Sequence, residues 1–139
     1  MSENAELTNF IDSWQNDPLG AKQFFLECKD TLDASPDALY DFVSRPAISY
    51  SIRAKHKNQK ERPGFGAIDV IDDDPDNRWV SVCFYADLVT DPDGLGDWVP
   101  DGFHGEDAMC FNMDEYDPRL KRYILDRLNE ALRAAANSR

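Results

Sequence analysis

The stretch WVSVCFY, residues 79–85, sorts its side chains onto two faces. Val80, Val82 and Phe84, followed by Ala86, fall on one parity, and Trp79, Ser81, Cys83 and Tyr85 on the other. Side chains alternate across a strand, so this spacing predicts a β-strand from Arg78 to about Ala86 with one apolar face. A second apolar run, Phe65 to Ile71, precedes it. Between the two lies a knot of acids, Asp72, Asp73, Asp74 and Asp76, around Pro75. Asp and Pro supply turn geometry and exposed charge discourages edge pairing, so the knot predicts a hairpin connection. A chain carrying such a hairpin must bury one sheet face against something else.

What covers that face is readable on either side. Leu7, Phe10, Ile11 and Trp14 recur at helical spacing over residues 5–16, and Asp17-Pro18 breaks the run. A second helix is expected from about Leu19 to Ala34, with Phe24, Phe25, Cys28 and Leu32 as its apolar positions. In SPDALYDFVSRP, Ser35 as N-cap, Pro36 at the first position and Asp37 at the positive dipole end predict a third, short helix. It would end near Ser44, because the residue before Pro46 is pushed out of the α region. Ile48, Tyr50, Ile52 and Ala54 then alternate with Ser49, Ser51, Arg53 and Lys55 as a half-buried strand. A basic turn, His56 to Gly64, leads into the Phe65–Ile71 strand. After the loop Asp87–Asp107, rich in Gly, Pro and Asp, a short strand around Ala108–Met113 closes the sheet. A last helix begins at Pro118, capped by Asp117, with Leu120, Tyr123, Ile124, Leu128, Ala131 and Leu132 as its stripe. The expected fold is α+β: three N-terminal helices, a four-stranded antiparallel meander and a C-terminal helix packed on one sheet face, with residues 1–139 as a single globular domain.

Composition narrows the function classes. A hydrophobic share of 42% with 12% aromatics supports a packed core despite 30% charged residues. No apolar stretch nears the roughly 18–20 residues that span a bilayer, so no membrane partner is expected. The opening MSENAELTNF has neither a basic nor an apolar segment, so no signal peptide is expected. Three cysteines, Cys28, Cys83 and Cys110, odd in number and widely spaced, predict reduced, unlinked thiols and a cytoplasmic location. The net charge is −12, with fifteen acids and one base between residues 63 and 117. Such a chain repels phosphate backbones, which argues against general nucleic-acid binding. Residues 47–62 are the exception, holding five bases and one acid. That island keeps a local anion site or a complementary self-contact open.

Catalytic and metal motifs are missing. Asp72, Asp74 and Asp76 match the first three ligand positions of a calcium loop, yet Asn77 stands where glycine is needed and Cys83 where the closing Glu is needed. Asp91–Trp98 lacks that Glu too. His104 lies six residues before Cys110, but the paired short spacings that zinc favours are absent. The two glycines of Pro63–Gly66 lack the Lys-Ser/Thr of a phosphate loop. An enzyme is not indicated and no cofactor is implied.

One surface stands out. With Ile48, Tyr50, Ile52, Val80, Val82 and Phe84 facing the helices, the opposite face gathers Ser49, Ser51, Arg53, Asp69, Trp79, Ser81, Cys83 and Tyr85, joined by Cys110 and Asn112. On an open antiparallel sheet such a face is simply solvated. As a binding face it would lie under the 87–107 loop with Trp98, Phe103 and His104, and Trp and Tyr on neighbouring alternate positions favour that covered reading. Arg53, Trp79, Cys83, Tyr85, Trp98 and His104 are therefore the expected binding residues.

The run FVSRPAISYSIRAK…IDVIDDDPDNRWVSVCFYADLVTDPDGLGDWVP…GEDAMCF resembles a group of small uncharacterised bacterial cytosolic proteins over about residues 40–112. The layout is also similar to the YdhG and MmcQ/YjbR-like domains. Frataxin-like iron chaperones, acidic with helices on one sheet face, share the coarse shape but have a two-helix order. No motif of these families assigns catalytic residues. The leading expectation is a non-enzymatic binding or regulatory module for an unknown small ligand or protein partner, with its site on the sheet face and the 87–107 loop. The alternatives are an acidic metal-handling protein and an acidic nucleic-acid mimic. The oligomeric state is open, a homodimer included.

Overall fold

The computed structural model describes residues 4–138. Residues 1–3, which belong to the N-terminal stretch read for a signal peptide, lie outside the described residues, as does residue 139. Two helices, α1 (Ala5–Ser13) and α2 (Ala21–Asp33), precede six strands. These are β1 (Ala38–Arg45), β2 (Ser49–His56), β3 (Gly66–Ile71), β4 (Trp79–Tyr85), β5 (Asp97–Phe103) and β6 (Glu106–Met113). Helix α3 (Pro118–Ala135) follows. Every pairing is antiparallel, in the order β1-β2-β3-β4-β6-β5. The first four strands meander, β5 takes the far edge, and β6 returns to pair with both β4 and β5. No described helix is long and apolar enough to cross a membrane.

The α+β class is as expected, but the expected element count is wrong in two places. Residues 38–45 form an edge strand rather than a third N-terminal helix. The Ser35 hydroxyl does accept an N–H, but from Asp37 in a tight turn, not at a helix start. Beyond it Ala38, Tyr40 and Phe42 turn inward while Leu39, Asp41, Val43 and Arg45 turn outward, period two rather than 3.6. Aromatic and β-branched side chains favour that pleat once β2 lies alongside. With β1 added, the sheet has six strands rather than four, because β5 too was not expected and lies within the 87–107 loop. Its Pro100 and Gly102 disguised it, residues that strands tolerate at edges and irregularities.

All three helices pack on one sheet face. Ile52, Ile68, Val80, Val82, Phe84 and Phe111 from the sheet meet Phe10, Trp14, Phe24 and Phe25 from the N-terminal region and Ile124 and Leu128 from α3 in one buried cluster. Phe10 stacks on Tyr50 with ring centroids 4.0 Å apart and lies 5.7 Å from Phe42, which fastens α1 over the β1–β2 hairpin. Asp117 caps α3 as expected, its carboxylate accepting the N–H groups of Arg119 and Leu120 at 3.1 Å. Cys28 belongs to this core, where burial pushes its thiol far above the usual range. Ile48 departs from the expected strand face: it sits in the β1–β2 turn and is 62% exposed.

Candidate functional site

The acidic turn joins β3 to β4, and three of its four carboxylates, those of Asp72, Asp74 and Asp76, hold the chain. Asp72 is buried; it accepts the Ala47 N–H at 2.9 Å and the Arg78 Nε–H at 2.7 Å. The contact with Ala47 matters because that residue has φ +70 in the Arg45–Ile48 turn, a position that favours glycine. Asp74 accepts from the Asp76 N–H and the Asn77 side chain, and Asp76 accepts from Asn16. In the later loop, Asp91 accepts from the Leu95 and Gly96 N–H groups and the Tyr123 hydroxyl. Partial burial raises the Asp91 carboxyl, but these donors outweigh it and hold it below the usual range. Among the described residues no group of three or more His, Cys, Asp or Glu is placed to hold a metal.

The face away from the helices assembles in rows. Val43, Ser51, Asp69, Ser81 and Asn112 stand in register across five strands; Asp41, Arg53, Ala67, Cys83, Cys110 and Asp97 form the next row. The Ser51 hydroxyl donates to Asp69, and Ser81 donates to Asn112 at 2.7 Å. Burial among these neighbours raises the Asp69 carboxyl, against the Ser51 hydrogen bond and the positive charges of Arg53 and Arg45.

Cys83 and Cys110 overturn the expectation of unlinked thiols. They are direct register partners with Cα atoms 4.1 Å apart, and they are joined as a disulfide. Their separation of 27 residues concealed a neighbour relation that only strand pairing creates. Disulfides persist chiefly in oxidising settings, so the argument from cysteine count to a reducing compartment loses its footing. Cys28 remains a free, buried thiol.

The two aromatics of this face part company. Tyr85 is 1% exposed: Phe103 packs edge-on at 4.7 Å and the Arg62 guanidinium lies 3.9 Å from its ring centre. Trp79, at the opposite end of β4, is only half-buried. Arg62 is itself buried and binds both oxygens of Asp87 at 3.1 and 2.9 Å, both oxygens of Glu106 at 3.4 and 2.7 Å, and the Ser138 hydroxyl at 3.2 Å. The Asp87 hydrogen bonds, aided by those of Glu106, raise its pKa further against the cost of burial. Sequence reading placed Arg62 only within the basic island. It is the clamp that ties the β2–β3 loop to the β5–β6 hairpin and the C-terminus.

Where this hairpin curls over the sheet it leaves a groove of about 410 Å³. Leu39, Asp41 and Val43 of β1 form one wall, Arg53 and Lys55 of β2 the base, and Phe103 and His104 the far side. The backbone of Pro63–Gly64 closes its end. A side chain at Gly64 would meet the Ala54 carbonyl oxygen at 2.3 Å, so the PGFG glycine serves close packing rather than phosphate binding. Among the described residues neither Arg53 nor Lys55 has a carboxylate within ion-pair distance.

Of the expected binding residues, the structure therefore brings Arg53 and His104 together, puts Tyr85 beneath the hairpin and places Cys83 in the same row as Arg53, two strands away. Trp98 does not join them. It pairs with Met109, on the helix-side parity of the sheet, and borders a recess with Arg62, Asp87 and Glu106. Leu39, Asp41 and Val43 are not among the expected residues, because the Ser35-Pro36 helix-start signature masks strand β1; the period-two pattern of residues 39–45 is the signal that reveals them.

No family model, no curated protein and no solved structure matches this chain. The comparisons thus neither support nor oppose the resemblance to small bacterial proteins.

Proposed function

We propose that the protein is a non-enzymatic binding module whose groove takes a small organic anion. A carboxylate or phosphate meets Arg53 and Lys55, and an apolar body lies against Leu39, Val43 and Phe103. The observation that carries this reading is the presence of two cations without ion-pair partners in a groove on a chain of net charge −12. Cations with no carboxylate within ion-pair distance are available to a ligand even with Asp41 in the same groove, and the apolar wall adds contact area. His104 at the rim adds a hydrogen-bond donor.

Titrating the protein with benzoate and with phenyl phosphate, followed by amide chemical shifts, tests this. Shifts should centre on residues 39–43, 53–55 and 103–104, weaken with added salt, and be lost in Arg53→Ala. Shifts scattered over the surface, or unchanged in Arg53→Ala, would refute it.

A further inference from the structure

We propose that two copies of this chain pair through the free edge of β1, antiparallel, with Asp41 of each copy opposite Arg45 of the other. Strand β1 runs eight residues with no Pro, no Gly and an unbroken register against β2. The Lys57 N–H donates to the Asp37 carbonyl at 2.9 Å, so bonds to β2 fall on the odd-numbered residues of β1. The N–H and C=O groups of Tyr40, Phe42 and Ser44 therefore point away from the sheet, and no hydrogen bond among the described residues takes up their N–H groups.

This geometry limits how a second β1 can dock. Outward groups must meet outward groups, so even-numbered residues face even-numbered ones. A two-fold centred on Asp41 sets like charges against each other, which is destabilising. One centred on Phe42 sets Asp41 against Val43 and Leu39 against Arg45, matching neither charge nor polarity. Centred on Val43, the register sets Asp41 opposite Arg45 twice and Val43 opposite Val43. Asp41 and Arg45 are exposed on the same face, and neither has an ion-pair partner among the described residues. The same register carries Leu39, 47% exposed, onto the Pro46–Ala47–Ile48 turn of the other copy, whose Ile48 is 62% exposed. Edge pairing of this kind draws its affinity from main-chain bonds and its register from side chains.

Pairing also bears on the groove. Arg45 of the second copy neutralises Asp41, the acid among the groove's side chains. That consequence rests on the anion-binding reading, whereas the pairing itself does not.

Analytical ultracentrifugation of the full chain, without ligand, tests the pairing, with far-UV circular dichroism as the check on folding. The wild type should sediment as a dimer at tens of micromolar. Arg45→Asp, which sets acid against acid, should raise the dissociation constant at least about tenfold, and Asp41→Arg with Arg45→Asp should restore it. Ser44→Pro, which removes one outward N–H, should give a folded monomer. A wild type that stays monomeric at hundreds of micromolar, or a dimer that neither Arg45→Asp nor Ser44→Pro weakens, would overturn the proposal. Because no ligand is present, this result is separate from whether the groove binds benzoate.

Discussion

At one edge of the sheet, β5 carries Pro100 and Gly102, and its register against β6 slips between Val99 and Phe103. At the other edge, β1 is regular from Ala38 to Arg45. Natural sheets blunt their edges with prolines and irregularities to prevent unwanted pairing. The β5 edge follows that rule, although Trp98 and Val99 remain exposed on it. The β1 edge does not. The halves also differ in how they are held. The β4–β6–β5 half is fastened by a disulfide, by the Arg62 clamp and by Phe103 over Tyr85. The β1–β2 half relies on its ladder, on Phe10 packing and on the Asp72 contact to its turn. One side of the sheet is closed by side chains, and the other leaves its backbone ready to bind.

The largest effect should come from the disulfide. Replacing Cys83 and Cys110 by Ser removes a cross-link closing a 27-residue loop, and should lower urea stability by about 3 to 4 kcal/mol. Hydrogen exchange should then accelerate in β5 and β6 more than in β1 and β2. Equal acceleration in both halves would break the comparison.

Tyr85 and Trp79 sharpen it. Tyr85→Ala removes a buried ring from beneath Phe103 and Arg62 and should cost about 3 kcal/mol or more. Trp79→Ala, at the uncovered end of the same strand, should cost no more than about 1 kcal/mol. Denaturant melts of the two variants measure the difference, and equal losses would mean that the Trp79 end is covered as well.

At the β1–β2 turn the expected change is smaller and of opposite sign. Ala47 at φ +70 holds a conformation that costs a residue with Cβ more than glycine. Ala47→Gly should therefore stabilise by about 0.5 to 1 kcal/mol, provided Asp72 still accepts its N–H. A loss in thermal melts would show that the turn is not strained.

The smallest effect is in the pH dependence. Asp69 is raised in the folded state, so ionising it costs stability above its unfolded value, and Asp69→Asn should raise the urea midpoint at neutral pH but not in acid. Asp91 is lowered, so its contribution is present above its unfolded value and is lost as pH falls through the folded one. The amides of Leu95 and Gly96 should thus lose protection in acid before those of the sheet.

Much of this was legible because it is local. The alternation of residues 79–85, the Asp117 cap and the apolar stripe of α3 each lie within a few residues, and all three hold. So does the division of the sheet into faces, since parity follows once a strand is recognised. The failures are where local signals conflict. Ser35-Pro36 reads as a helix start although Leu39–Arg45 has strand periodicity, and Pro100 hides β5. The groove was legible only in part: Arg53 and His104 were expected, whereas its β1 wall was lost with the strand.

By itself, then, the sequence determined which faces are apolar, where two of the helices begin and that the acids between β3 and β4 make a turn. Steric preference, side-chain parity and capping act over a handful of residues, so they need no partner to be readable. Only the tertiary structure decided that Cys83 meets Cys110, that Arg62 clamps the hairpin over Tyr85 and that Trp98 faces away from Arg53. Those relations depend on strand order and register, which are set by packing between segments that lie far apart along the chain.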